Sequence, residues 1–283
     1  PIKRMKVPTT LILGAGAALT SVLVGAIRTL EQVARVQQQP MPTSFVGTSG
    51  GSILALMMAL GYTSYEMERA CFEMHRSVGN MLFELDLFFA QFGGINTSGL
   101  LTEFLENCVE TKTGQRRLTF SQLKQFTGRD LEVSALCLDT KSIDYISASN
   151  HPNMCVVQAV AASCAIPLVF TPVTLNDKMY VDAGVVESLV VRNDPETLMF
   201  SVKTNSASQP VKKLTDFIER VLSTVSTVYY ESTVKHLDSD KVMTFTVDAP
   251  ASDRFPASMF PTKQYLTQLI EAGALQMREK CMD

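Results

Sequence analysis

No Cys-x-x-Cys pair occurs in this 283-residue chain, and its three histidines, His75, His151 and His236, are scattered. Zinc needs clustered thiolate and imidazole ligands, so no recognisable zinc pattern is present. Charge of one sign is equally scarce: 25 Lys and Arg against 28 Asp and Glu leave a net charge of −3. Basic residues are scattered, with only short pairs such as Arg116-Arg117 and Lys212-Lys213. A nucleic-acid binder carries a basic face, so no nucleic-acid partner is expected. Long apolar runs are missing too. The longest after Ser49 is Ile53–Leu60, far short of the ~20 residues that a spanning helix needs. The amino-terminal stretch PIKRMKVPTTLILGAGAAL has a basic start, but its apolar part holds two glycines and continues into a helical pattern. That reads as a strand entering a helix rather than a leader peptide. Internal repeats and low-complexity linkers are also lacking.

What is present is the composition of a globular protein, 46% hydrophobic and 19% charged. The six cysteines sit mostly in apolar stretches. Cys137 and Cys164 read as small packing side chains, which predicts reduced thiols and a cytoplasmic setting. Strand patterns at Thr9–Leu13, Thr43–Gly47, Leu131–Leu138, Ile143–Ala148, Val169–Thr174, Lys178–Val181, Thr197–Val202 and Val242–Val247 alternate with helical ones. The helical stretches are Thr20–Val36, Gly50–Leu60, Tyr62–Asn80, Leu100–Glu110, Val156–Ala162, Lys213–His236 and a last one from Thr262. This alternation predicts an α/β layered fold on a mostly parallel sheet, as one domain over residues 1–283.

Against that background FVGTSGGSI, Phe45–Ile53, is anomalous, because it crowds Gly47, Gly50 and Gly51 around Ser49. G-x-S-x-G between a strand and a helix is a nucleophile-elbow pattern, in which small residues two before and two after the serine make room for a strained turn. The helix amino terminus behind it favours developing negative charge. The plainer reading is a glycine turn whose serine caps the helix. A serine nucleophile also needs a base and an oxyanion hole. LGAGAA at Leu13–Ala18 supplies a second strand-turn-helix whose N–H groups could converge on an oxyanion. It fails as a dinucleotide fingerprint, since Leu19 stands at the third glycine and Glu31 is the nearest downstream acid, and it lacks the Gly-Lys-Ser/Thr of a P-loop. For the base, Asp182 in YVDAG closes a strand before small residues. Its alternative is a turn-shaping aspartate. Ser49, Asp182 and His236 also follow the chain order of an α/β-hydrolase triad, although a histidine near a helix carboxyl end has an ordinary role with the dipole.

Three separated segments together resemble the patatin-like phospholipases. They are FVGTSGGSILALMMALGYTSYEM around the serine, ASCAIPLVFTPV at Ala162–Val173, and YVDAGVV at the aspartate. Their order and spacing agree over roughly residues 8–190. The resemblance implies a three-layer α/β/α fold and a lipid acyl hydrolase of phospholipase A, lysophospholipase or esterase type. It implies Ser49 as nucleophile, Asp182 as base, the turn at Ala15, Gly16 and Ala17 as oxyanion hole, and no metal or cofactor. Leu19 and Thr20 depart from the family's usual basic residue and glycine after the turn, Ala183 from its glycine after the aspartate, and Val190 from a common proline. A catalytically weakened lipid-binding or scaffold protein is the alternative those departures leave. The apolar stretch Met81–Ile95 reads either as core or as a lid in transient contact with a membrane surface, and Phe255–Pro261 is a second candidate loop for that contact.

Overall fold

A computed structural model describes residues 5–79, 99–167, 170–205, 210–212, 214–237, 239–248 and 262–282. The stretches Met81–Ile95 and Phe255–Pro261 lie outside the described residues. Strands and helices alternate as expected: β1 (Thr10–Leu13), α1 (Ser21–Val36), β2 (Ser44–Thr48), α2 (Gly50–Ala59), α3 (Ser64–Gly79), α4 (Leu100–Thr113), α5 (Phe120–Thr127), β3 (Asp130–Cys137), β4 (Ser142–Ser147), α6 (Val156–Ser163), β5 (Val173–Leu175), β6 (Lys178–Asp182), β7 (Thr197–Thr204), α7 (Leu214–Val234), β8 (Val242–Val247) and α8 (Lys263–Met282). Strands β3, β2, β1, β7 and β8 run parallel in that order, while β4, β5 and β6 add antiparallel pairs at the β3 end.

Alternation along the strands creates the layers. Leu11, Leu13, Phe45 and Phe200 face a core shared with α1, α2 and α8. Their neighbours Ile12, Val46 and Met199 point to the other face, where Leu189, Val190 and Tyr230 of α7 cover them. A side-chain period of two makes this division unavoidable once both faces are covered. Phe200 and Phe245 meet edge to face at 5.1 Å between ring centroids.

Two features were not apparent in the sequence. Helix α5 is short, but Thr119 and Gln122 close a full capping box before it and Gly128 ends it at φ 68°. Helices α1 and α8 touch backbone to backbone. A Cβ at Gly25 would lie 1.8 Å from the Ile270 carbonyl oxygen, and one at Gly273 would lie 1.8 Å from that of Val22. The run Ala17–Val36 is long and apolar enough by composition to cross a membrane, but 67% of its most apolar window is buried inside the fold. The strand expected at Val169–Thr174 starts later, at Val173, with residues 168–169 outside the described set.

Strand β3 acts as a ruler for the site. Its first half pairs with β2, placing Thr48 opposite Ser134. Its second half pairs with β6, placing Asp182 opposite Ala135. Because β4 already occupies the other edge over Glu132–Cys137, β2 and β6 share one edge of β3. They arrive from opposite directions, so their carboxyl ends meet. Ser49, one residue beyond β2, and Asp182, the last residue of β6, are brought side by side by register alone.

Candidate active site

Ser49 leaves β2 at φ 54°, ψ −132°. A non-glycine residue held in this left-handed region costs about 1–3 kcal/mol and persists only where its surroundings over-determine it. Here they do. The Ser49 N–H, beyond the end of the β2 ladder, donates to Ser163 Oγ at 2.8 Å. The Ser49 carbonyl accepts from the Ser52 N–H at 2.8 Å and from Ser52 Oγ at 2.6 Å. The flanking glycines are required by close approach. A Cβ at Gly47 would sit 2.3 Å from Ser52 Cα, and one at Gly51 would sit 2.3 Å from the Leu13 carbonyl oxygen. The helix-capping reading of Ser49 fails, because its side chain makes no bond to the first turn of α2.

That hydroxyl donates instead to Asp182 Oδ2 at 2.5 Å. The other carboxylate oxygen, Oδ1, accepts the Gly184 N–H at 2.7 Å, so Asp182 also shapes the turn after β6. Its backbone N–H is fixed on the Ala165 carbonyl at 2.9 Å. Serine and aspartate are both buried. Burial pushes the Asp182 carboxyl up to about 7, with the bonds from Ser49 and Gly184 pulling the other way. A carboxylate poised there is half-ionised near neutrality, the range in which a general base works best. Ala183, in place of the family's glycine, keeps a negative φ and causes no strain.

The small-residue turn packs against both partners. A Cβ on Gly184 would lie 2.9 Å from that of Ala15, and one on Gly50 would lie 2.7 Å from the Ala17 carbonyl oxygen. Its N–H groups are not equivalent. Ala15 donates to the Ser188 carbonyl at 2.7 Å, so its N–H is already committed and Ala15 drops out as an oxyanion donor. Gly16 and Ala17, at the open amino end of a 3-10 turn, and Gly50, opening α2, have no acceptor for their N–H groups among the described residues. Ala17 takes φ 46°, and Thr20 Oγ1 holds its carbonyl at 2.6 Å.

Other candidates fall away from this cluster. The direct contact between Ser49 and Asp182 leaves no place for an imidazole between them. His236 is exposed in the turn after α7, His151 lies in the loop after β4, and His75 lies in α3. Glu31 accepts from the Ser64 N–H at 2.9 Å and from its hydroxyl at 2.6 Å, a structural use at the start of α3. A polar cavity of about 570 Å³ opens at the opposite end of the strands, lined by Thr10, Ser44, Asp130 and Thr197. Its Lys124–Asp130 and Arg192–Glu132 charges pair with each other. Ser163 is the functional neighbour that sequence reasoning missed, although it lies inside the quoted segment before the aspartate. A serine in a helix carries no local sign that a distant N–H needs it.

Comparison with known proteins identifies the family and the fold. A family model described as patatin-like phospholipase matches residues 11–195. The chain is 29% identical over 181 residues to "Probable lipid hydrolase 463L" of Invertebrate iridescent virus 6, covering 62% of this chain and 59% of the relative. It is 28% identical over 178 residues to triacylglycerol lipase ptl2 of Schizosaccharomyces pombe, covering 59% of this chain and 26% of the lipase. The chain thus spans little more than half of the viral relative and about a quarter of the lipase. Among solved structures, VipD from Legionella pneumophila superposes with a TM-score of 0.59 at 12% identity, over 98% of this chain and 67% of that one. A chain of the ExoU–SpcU heterodimer from Pseudomonas aeruginosa gives 0.52 at 16% identity, over 97% and 51%. At such identities these two speak to the fold.

Proposed function

The chain belongs to the patatin-like phospholipase family, and from that premise we propose that it hydrolyses lipid carboxylic esters with Ser49 as nucleophile and Asp182 as general base. The observation that carries the reading is the 2.5 Å bond from the Ser49 hydroxyl to Asp182 Oδ2. It joins a nucleophile held in a strained elbow to a buried carboxyl raised into the neutral range. The family and its lipase-named relatives supply the substrate class, a lipid acyl ester.

The steps follow from those positions. Asp182 Oδ2 takes the hydroxyl proton as Ser49 Oγ bonds to the ester carbonyl carbon. The carbonyl electron pair moves onto oxygen, where the N–H groups of Gly16, Ala17 and Gly50 are the donors. Each such donor is worth about 3 kcal/mol in the transition state. Collapse expels the alcohol, which takes the proton back from Asp182, and leaves an acyl-Ser49. Water then repeats the sequence, with Asp182 as base, to release a fatty acid and restore the serine. Burial serves the chemistry, since water-poor surroundings strengthen both the Ser49–Asp182 contact and the bonds to the oxyanion.

The test compares the parent with Ser49→Ala, Asp182→Asn and His236→Ala on a short-chain chromogenic ester and on phospholipid vesicles. The dyad requires the first two to abolish turnover on both substrates while the third retains it. Loss in all three folded variants returns the triad. A parent inactive on both substrates moves the weakened scaffold ahead.

A further inference from the structure

Helix α7 carries an outward face that no described residue covers. Phe217, Val221, Val225 and Val228 are 55%, 43%, 46% and 61% exposed. At ~100° per residue they fall within an arc of about 80° and form one stripe some 16 Å long. Large apolar side chains are normally exposed singly, and a continuous stripe marks a surface that meets something apolar. The helix is anchored outside the stripe. Tyr230 packs on Ile12, Val46 and Met199, and Tyr229 hydrogen-bonds to Glu187. The stripe therefore cannot roll inward.

Its place relative to the site identifies the occupant. Strand β7 ends at Thr204, beyond the carboxyl ends of β1 and β2, and the chain enters α7 from there. The helix packs on Ala183–Val185, the turn that follows Asp182. Between Arg220 and Tyr230 it holds only Val, Leu, Ser, Thr and Tyr, with no Asp or Glu. A bilayer accepts such a face without desolvating a carboxylate or opposing lipid phosphates. Apolar side chains framed by hydroxyls suit the shallow boundary between acyl chains and headgroups.

We propose that α7 is the membrane-docking element of this protein: the stripe Phe217–Val221–Val225–Val228 enters the surface of a phospholipid bilayer and sets the Ser49–Asp182 site against its substrate. The proposal rests on the lipid-hydrolase reading above, and its test separates the two. The chain has no tryptophan, so Val225→Trp installs a single reporter on the stripe. With phosphatidylcholine vesicles its emission shifts to the blue and is quenched by brominated lipid, if the helix inserts. A triple variant, Val221→Glu, Val225→Glu and Val228→Glu, keeps its hydrolysis of a monodisperse short-chain ester within about twofold, because exposed substitutions barely touch stability. Its vesicle binding and vesicle hydrolysis fall at least about tenfold, since each buried valine side chain contributes about a factor of ten. An inactive parent whose reporter still responds to vesicles sinks the hydrolase reading and leaves the docking intact. A reporter blind to vesicles that the protein hydrolyses overturns the proposal. So does emission that shifts with protein concentration in the absence of lipid, which assigns the stripe to a second copy of the chain.

Discussion

Replacing Asp182 by Asn separates the carboxyl's proposed role as base from what it costs the fold. Burial raises it to about 7, whereas an aspartate in the unfolded chain ionises near 3.9. Between about pH 4 and pH 7 the unfolded state has therefore lost a proton that the folded state keeps, so stability falls as pH rises across that window. The stabilisation is fully present below about pH 4 and gone above about pH 7. The gap of about three units corresponds to about 4 kcal/mol. An amide is neutral throughout. It keeps an oxygen for the Gly184 N–H, now accepted at 2.7 Å, and turns an NH₂ toward Ser49 Oγ. Asp182→Asn is expected to be more stable than the parent by up to about 4 kcal/mol at pH 8, shrinking to about 1 kcal/mol at pH 4.5. Its kcat/KM on a soluble ester falls by at least about a hundredfold. Urea denaturation at the two pH values reads the first, and ester hydrolysis reads the second. A variant less stable than the parent at pH 8, or a difference that ignores pH, refutes the buried-carboxyl argument. The parent's own kcat/KM should rise about tenfold per pH unit up to about 7 and level off above it.

Ser163→Ala strands the buried Ser49 N–H now held at 2.8 Å, costing about 1–3 kcal/mol in urea denaturation. It lowers kcat more than it raises KM, because the elbow loses a restraint that substrate binding does not use. Gly273→Ala forces a methyl to 1.8 Å from the Val22 carbonyl oxygen, separating α1 from α8. Thermal unfolding should show a loss of at least about 1–3 kcal/mol, with the activity of the folded fraction retained. Ala17→Gly relieves the 46° φ, a strain of about 1–2 kcal/mol partly offset by the freer unfolded glycine. It should leave stability level or up to about 1 kcal/mol higher and keep the turn's N–H donors. A drop in ester hydrolysis there would show that the alanine methyl shapes the oxyanion turn.

Most of the fold and the Ser49 elbow were legible from local pattern, whereas Asp182 was singled out as a base by the family resemblance. The strands were recognised because β-branched and apolar residues alternate between Gly-rich turns, helices α1, α3 and α7 because their apolar periodicity is long, and α2 because an apolar run follows the elbow. Helix α5 escaped because it buries only Phe120 and Leu123 and so shows almost no apolar pattern, whereas the equally short α6 is apolar nearly throughout. The α5 capping residues Thr119 and Gln122 were nonetheless in plain view. Ala15 was grouped with Gly16 and Ala17 because a one-dimensional pattern cannot say which N–H already has an acceptor. The Ser188 carbonyl that takes it comes from a loop some 170 residues away.

By itself the sequence determined the elbow, the strand-closing aspartate and the alternating layers, since each depends on a residue's immediate neighbours and the sterics of a few dihedrals. Only the tertiary structure decided that β2 and β6 end against each other on one edge of β3, which is what turns Ser49 and Asp182 from two motifs into a hydrogen-bonded pair. It alone revealed the backbone contact that makes Gly25 and Gly273 necessary, and the outward stripe of α7. Register, burial and the desolvation that raises Asp182 come from packing between segments far apart in the chain, and no local pattern encodes such distances.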